Sequence, residues 1–156
     1  MAKVMVIYDS QSGFTELMAK AVVEGVHEVK GIDVELLKVG TPFSVTRLES
    51  ADAIILGSPA IYGNTTEWMK IFLESLSCAK EASRINLSGK IGGVFGSYGW
   101  DGGWIVDMLS KEMGALEIKI VAPAVALVHG MYEKVQIEEK SIEKCRELGR
   151  VIAEKC

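Results

Sequence analysis

The chain contains 156 residues, of which 49% are apolar and 24% are charged. That length and composition are typical of one globular domain with a substantial core, so we predict a single domain over residues 1–156 and exclude a disordered chain. The formal net charge of −4 argues against a nucleic-acid partner, because phosphate backbones select basic surfaces, and mildly favours a basic protein partner.

The start of the chain does not resemble a targeting segment, because residues 1–3 lead directly into the short apolar run 4–8. Apolar runs also stay well below the ~20 residues that a membrane span requires. The three cysteines are widely spaced and show no C-x-x-C pattern, which predicts neither a zinc site nor a disulfide framework. We therefore expect a cytoplasmic protein with reduced thiols and no membrane partner.

Short apolar runs alternate along the chain with segments of helical periodicity. Runs of this kind predict buried strands at residues 4–8, 53–57 and 91–96, and edge strands at 34–39 and at 118–121 with 124–128, interrupted at Pro123. Apolar stripes predict helices at about 15–30, 68–76, 105–113 and 142–152, with Trp68 among the core residues. Strands that alternate with single helices indicate an α/β fold with a doubly wound parallel sheet and helices on both faces.

Ligands of such sheets bind beyond the carboxyl ends of the strands, where the strand order reverses. The loop at residues 10–15 places three hydroxyl side chains and Gly13 where a helix begins, a pattern that predicts an anion site. Simple helix capping is the alternative. The loop lacks the Gly-Lys-Ser/Thr ending of a P-loop, and no G-x-G-x-x-G follows the strand.

Two further loops follow predicted strands. Residues 58–65 contain Pro59, Tyr62 and the turn dipeptide Gly63-Asn64, which would also suit an ordinary surface turn. Residues 96–104 combine two Trp, one Tyr and four Gly, a composition that is costly in folding entropy for a plain connection. Glycines allow backbone N–H groups to approach a ligand, and aromatic rings supply flat apolar area. Asp101 is interpreted as a helix cap.

The first loop, Ser-Gln-Ser-Gly-Phe-Thr, resembles the flavodoxin phosphate loop T/S-x-T-G-x-T, with Ser12 where Thr is commoner. The loop at 57–64 resembles the flavin-contacting loop of flavodoxin-like quinone oxidoreductases. The run 95–100 and the tail 145–150 resemble the flavodoxin module of A-type flavoproteins. Together these resemblances cover nearly the whole chain and imply a flavodoxin-like, five-stranded parallel sheet in the order 2-1-3-4-5.

The resemblance implies one FMN, held without covalent attachment. Its phosphate contacts would be Ser10, Gln11, Ser12, Gly13, Phe14 and Thr15. Its ribityl chain and ring would lie along Pro59, Ala60, Ile61, Tyr62, Gly63, Asn64 and Thr65. The third loop would add Ser97, Tyr98, Gly99, Trp100 and Gly102, while the part played by Trp104 stays open. A carbonyl near Gly63 could turn to accept a hydrogen bond from the reduced ring, as in flavodoxins.

Two functions then compete. The first is an electron carrier that shuttles low-potential electrons between redox proteins of ferredoxin or reductase type. The second is an NAD(P)H-dependent quinone or flavin-type oxidoreductase. The three loops offer no obvious catalytic acid, base or nucleophile, which favours the carrier, although the quinone-oxidoreductase-like second loop supports the enzyme. With two histidines in all, we expect no metal site and no di-iron centre. His129 could face the flavin or the surface, His27 should be solvated, and exposed aromatic loops could pair subunits.

Overall fold

A computed structural model describes residues 1–99, 102–129 and 138–156. The strands are β1 (Ala2–Tyr8), β2 (Ile32–Lys38), β3 (Ala53–Pro59), β4 (Ile91–Tyr98), β5 (Lys119–Ile120) and β6 (Val125–Val128). All pairings are parallel, the sheet order is β2-β1-β3-β4-β5, and β6 also pairs with β4. Because β5 and β6 are the two pieces of the interrupted edge strand, the predicted order 2-1-3-4-5 is confirmed.

The described helices are α1 (Phe14–His27), α2 (Glu67–Glu81), α3 (Ile105–Ala115) and α4 (Glu139–Glu154), with a 3₁₀ helix at Val45–Ser50 that was not predicted. Helix α1 ends before its predicted end at residue 30, because the N–H groups of Glu28 and Val29 already close three-residue turns onto Gly25 and Val26. None of the helices in these ranges is long and apolar enough to cross a membrane.

Alternate residues of the central strands face two separate cores, which explains their continuous apolar runs. Met5 and Ile7 of β1 pack with α2 and α3 on one face of the sheet. Val4 and Val6 pack with α1 and α4 on the other. In the described parts of the chain, two helices therefore cover each face of the sheet.

Helices α1 and α4 approach so closely that glycine is required at their contact. A Cβ atom on Gly25 would lie 1.8 Å from the Arg146 carbonyl oxygen, and one on Gly149 would lie 2.0 Å from the carbonyl oxygen of Val22. Arg146 and Arg150 reach across the same contact, with N···O distances of 2.8 Å to Glu24 of α1 and 2.5 Å to Glu28, which directly follows α1. Backbone packing in the centre and ion pairs at the rim thus join the two helices.

The prediction that Trp68 belongs to the core is wrong. The buried side of α2 consists of Met69, Leu73, Leu76 and Ala79. Trp68 is 58% exposed and Ile71 is 53% exposed, because both lie on the other side of the helix. The sequence stripe contains large apolar residues on both sides of α2, so its periodicity did not identify the buried side.

Candidate functional site

The candidate site lies at the end of β1, where the strand order of the sheet reverses. Strand β1 pairs with β2 on one side and with β3 on the other, so the order reverses between β1 and β3. The Asp9 N–H donates to the Gly57 carbonyl oxygen at 3.1 Å, which joins the ends of these two strands. The loops after β1, β3 and β4 all leave from this carboxyl edge, the position at which doubly wound sheets bind ligands.

The first loop satisfies its own backbone donors with hydroxyl groups. The Gly13 N–H donates to Ser10 Oγ at 3.1 Å, and the Phe14 N–H makes a longer contact of 3.5 Å with Ser12 Oγ. Gly13, with φ 96°, is the N-cap of α1, and no side chain caps the helix in the ordinary way. Hydroxyls of the preceding residues Ser10 and Ser12 thus accept the N–H groups at the start of α1.

These two serine oxygens accept backbone N–H groups at a helix amino terminus, a place where such donors commonly bind oxyanions. The loop contains no cation, since no Lys or Arg lies between Lys3 and Lys20 in the sequence. Gln11 and Ser12 are exposed. The donors present are thus backbone N–H groups, hydroxyls and the helix dipole, a set that fits the phosphate of FMN.

The second loop is a tight two-residue turn. The N–H groups of Ile61 and Asn64 donate to each other's carbonyl oxygens at 2.7 and 3.0 Å. Tyr62 and Gly63, the central residues, have φ values of 49° and 78°, the pattern of a type I′ turn. The side chain of Tyr62, which lies at the tip of this turn, is fully exposed.

The second and third loops are joined by an indole. Trp104 Nε1 donates to the Gly63 carbonyl oxygen at 2.9 Å. Gly102, with φ 111°, lies so close to the second loop that a Cβ atom there would be 2.7 Å from that of Ala60. The carbonyl proposed to turn towards a reduced ring therefore already has a hydrogen-bond donor, which sequence reasoning missed.

Two predicted cofactor contacts are buried beneath the loops instead of lining an open surface. Thr15 is 1% exposed and Ser97 is 0% exposed. Their hydroxyl oxygens lie 2.8 Å apart, which joins the first loop to the end of β4. The Ser97 carbonyl oxygen also accepts the Ala60 N–H at 2.7 Å, so Ser97 contacts both other loops.

Asp9 and Thr66 are two further polar residues at this edge of the sheet that were not predicted. Thr66 is the N-cap of α2, where its Oγ1 accepts the Met69 N–H at 3.2 Å. Its hydroxyl donates to Asp9 Oδ2. A polar residue directly after a buried strand and a Thr directly before a helix were the available signals, but neither indicates that the two side chains meet.

Among the predicted residues, the described contacts between loops join Thr15, Ala60, Ser97 and Gly102, while Tyr98 ends β4 and Gly99 follows it. Trp100 and Asp101 lie outside the described residues, as does Gly130. The half-buried His129 donates its N–H to the Tyr98 carbonyl oxygen at 2.8 Å, and its ring centroid lies 5.6 Å from that of Phe14. His129 therefore lies beside the first loop, whereas His27 is exposed, as predicted.

The end of β1 also carries a protonated phenol. The Tyr8 hydroxyl donates to Glu16 Oε1 at 2.9 Å. Burial, together with this hydrogen bond to a carboxylate, raises the pKa of Tyr8 to about 12. Tyr8 is therefore a neutral donor at physiological pH and couples β1 to the first turn of α1.

The family profile described as "Flavodoxin" matches residues 6–148. The chain belongs to the flavodoxin family. Members of this family bind a flavin, typically FMN. A solved structure described as a flavodoxin from the domain Archaea is 30% identical and has a TM-score of 0.81, with 98% of this chain and 97% of that chain covered.

Two curated proteins are similar to this chain in sequence. The type A flavoprotein fprA of Rhodobacter capsulatus is 29% identical over 154 residues, which cover 96% of this chain and 32% of the relative. An NAD(P)H dehydrogenase (quinone) of Methanosarcina barkeri is 34% identical over 156 residues, covering 83% of this chain and 69% of the relative. The chain spans 28–36% of the length of the first three curated relatives that it matches.

Proposed function

We propose that this chain binds one FMN without covalent attachment and carries electrons between redox proteins. The observation that carries the proposal is the first loop, in which two serine oxygens accept backbone N–H groups at the amino terminus of α1, donors that suit an oxyanion. The loop lies at the reversal point of a flavodoxin-family sheet. Phosphate is the ligand that this donor set fits best.

In this proposal the phosphate is held by the first loop, Ser10 to Thr15. The ribityl chain and ring are held by Pro59 to Thr65 and by Ser97, Tyr98, Gly99, Trp100 and Gly102. Thr15 and Ser97 contribute mainly through their backbone and by positioning the loops, because their hydroxyls are paired and buried. Tyr62, Tyr98 and Trp104 supply aromatic area, and FMN supplies the redox chemistry.

The electrostatics of the site favour a low reduction potential. The proposed phosphate site relies on dipoles instead of cations, so the charge of the phosphate is not neutralised by a neighbouring Lys or Arg of the loop. Electrons added to the ring therefore enter a region that already carries negative charge, which makes reduction less favourable.

An NAD(P)H-dependent quinone oxidoreductase is the second candidate. It is supported by the Methanosarcina barkeri relative, which is named an NAD(P)H dehydrogenase (quinone) and matches over most of both chains. The described loops offer no acid–base pair for catalysis beyond what the flavin supplies, and this favours the carrier. Proteins of ferredoxin or reductase type are the partners that the carrier requires.

The direct test is to titrate the flavin-free protein with FMN and to follow the quenching of flavin fluorescence. We expect a dissociation constant below a micromolar, about −8 kcal/mol in binding free energy or better. The loaded protein should be reduced by a ferredoxin-type reductase and should react slowly with NADH or NADPH in the absence of air. Rapid bleaching by NADPH with turnover of a quinone would instead support the enzyme, and a protein that refuses FMN would reject both proposals.

A matched pair of glycine variants tests where the phosphate binds. Gly13 in the first loop and Gly31 before β2 both have positive φ, 96° and 79°. Either change to Ala adds about 1–2 kcal/mol of left-handed backbone strain. Gly13→Ala should weaken FMN binding at least about tenfold, whereas Gly31→Ala should leave it unchanged because nothing lies within 4 Å of the added atom. Equal effects would show that the first loop does not bind the phosphate.

A further inference from the structure

A buried carboxylate lies directly beneath the proposed flavin site. Asp9 follows β1 and is 4% exposed. Its Oδ1 accepts the Ser10 N–H at 2.8 Å, and its Oδ2 accepts the Thr66 hydroxyl. Both carboxylate oxygens of Asp9 therefore accept a hydrogen bond, one from the backbone and one from a side chain.

Thr66 extends this contact to another element. It is 2% exposed, and its Oγ1 also accepts the Met69 N–H, so one hydroxyl caps α2 and donates to Asp9. The pair joins positions 57 residues apart in sequence. The first residue of the proposed phosphate loop is thereby connected to the helix that follows the second loop.

The charge of Asp9 has no cationic partner among the residues that the structure describes. The ion pairs in that part of the chain involve other carboxylates, and Asp9 depends on its two hydrogen bonds. A buried charge without a counter-ion acts over a longer distance than a surface charge, because little water screens it.

We propose that Asp9 is a positioning and electrostatic residue of the flavin site, an inference that rests on the proposed FMN function. With Thr66 it fixes the first loop against the start of α2. Its negative charge, at the strand end between the two loops, makes addition of electrons to the bound flavin less favourable. Asp9 acts from beneath the loops, and direct contact with the cofactor is not part of the proposal.

Four variants separate the charge from the hydrogen bonds. Asp9→Asn removes the charge at nearly constant size. Thr66→Val removes the hydroxyl that Asp9 accepts, and Thr66→Ser keeps it. Ser75→Ala is the control on the same helix, because the exposed Ser75 hydroxyl donates only to the Phe72 carbonyl oxygen at 2.6 Å. For each protein, FMN affinity is measured on the flavin-free form, and the midpoint potential of bound FMN is measured against reference dyes.

Asp9→Asn should shift the midpoint potential of bound FMN in the positive direction, because it removes a negative charge. A purely structural role of Asp9 would leave this potential unchanged. Thr66→Val should weaken FMN binding by about threefold or more, the effect expected when a charge-assisted hydrogen bond is lost. Thr66→Ser and Ser75→Ala should match the wild type in both measurements.

An unchanged potential in Asp9→Asn, or unchanged affinity in Thr66→Val, would overturn the inference while leaving FMN binding intact. If Asp9→Asn does not fold, the affinities of Thr66→Val and Thr66→Ser decide, since equal values would reject the role of the pair. Failure of the wild-type protein to bind FMN would instead reject the proposed function, and this inference with it.

Discussion

Buried hydroxyl groups hold the loops of the candidate site together at the scale of single residues. Thr15 and Ser97 share one hydrogen bond in a fully buried position. A hydroxyl that loses its only buried partner retains the cost of desolvation, about 1–3 kcal/mol. The sequence predicted both residues as site residues, but it could not predict their pairing, because they are 82 positions apart and meet only through the sheet order.

Thr15→Val and Ser97→Ala should each lower the free energy of unfolding by about 1–3 kcal/mol, because each leaves one hydroxyl unpaired. The double variant should lose less than the sum of the two, since neither unpaired group remains. Urea unfolding of the flavin-free proteins measures these values. Ser50→Ala, which removes an exposed hydroxyl bonded to the Arg47 carbonyl oxygen, is the control with little expected effect. Strict additivity would contradict the pairing.

The Trp104 indole gives a second prediction at this scale. Trp104→Phe removes the N–H that donates to Gly63 but keeps an aromatic ring. Because Trp104 is 46% exposed, the free energy of unfolding should fall by less than about 1 kcal/mol. FMN binding should weaken about threefold or more if the turn positions the ring. Trp68→Phe is the matched control, and a similar loss of affinity in both variants would contradict a specific role for Trp104.

At the scale of elements, the central strands were predictable because burial on both faces demands unbroken apolar runs. The 3₁₀ helix was not, because Leu48 is its one fully buried residue and its sequence carries no periodic stripe. The buried side of α2 was also misread, since Trp68 and Ile71 are large apolar residues that remain exposed. Sequence periodicity shows where apolar residues recur along a helix, whereas their burial depends on which neighbouring element covers them.

Replacing a glycine by alanine should have opposite effects on stability in two helices of this fold. Gly25→Ala in α1 should destabilise the protein by several kcal/mol, because its methyl group would overlap the Arg146 carbonyl and force α1 and α4 apart. Gly114→Ala in α3 should stabilise it by up to about 1 kcal/mol, since nothing lies within 4 Å and alanine favours helix. Thermal unfolding of the two variants compares them directly. A tolerated Gly25→Ala would contradict the close helix contact.

At the scale of the molecule, fold and site differ in how far the sequence predicted them. The strand order and the three loops followed from local patterns and from resemblance. The Asp9–Thr66 contact did not, because it depends on how the sheet order brings separate strand ends together. Local chemistry therefore identified the loops, and long-range packing determined which of their side chains are buried and paired beneath them.

Thiol reactivity reports the opening of the whole fold. Burial raises the pKa of Cys145 from 9.0 to about 12, whereas Cys78 is exposed. At pH 8 iodoacetamide should label Cys78 and leave Cys145 unlabelled until the protein unfolds, as mass spectrometry can show. Denatured protein, in which all three cysteines react, is the control. Labelling of native Cys145 at the rate of Cys78 would contradict its burial.

The raised pKa of Cys145 also makes the stability of the fold depend on pH. The folded state binds the Cys145 proton more tightly than the unfolded state does, because its pKa is raised. This contribution to stability is complete below pH 9.0 and is lost as the pH rises towards about 12. Cys145→Ala should therefore flatten the alkaline fall in the free energy of unfolding, measured by urea titration from pH 8 to pH 10.5.

The two serines of the first loop have a consequence for how a ligand enters. The amide hydrogens of Gly13 and Phe14 in this segment are engaged by Ser10 and Ser12. Under the proposed function, entry of the FMN phosphate would be an exchange of acceptors, which releases both serine hydroxyls to donate to the phosphate. Such an exchange swaps one set of acceptors for another and leaves the backbone of the segment in place.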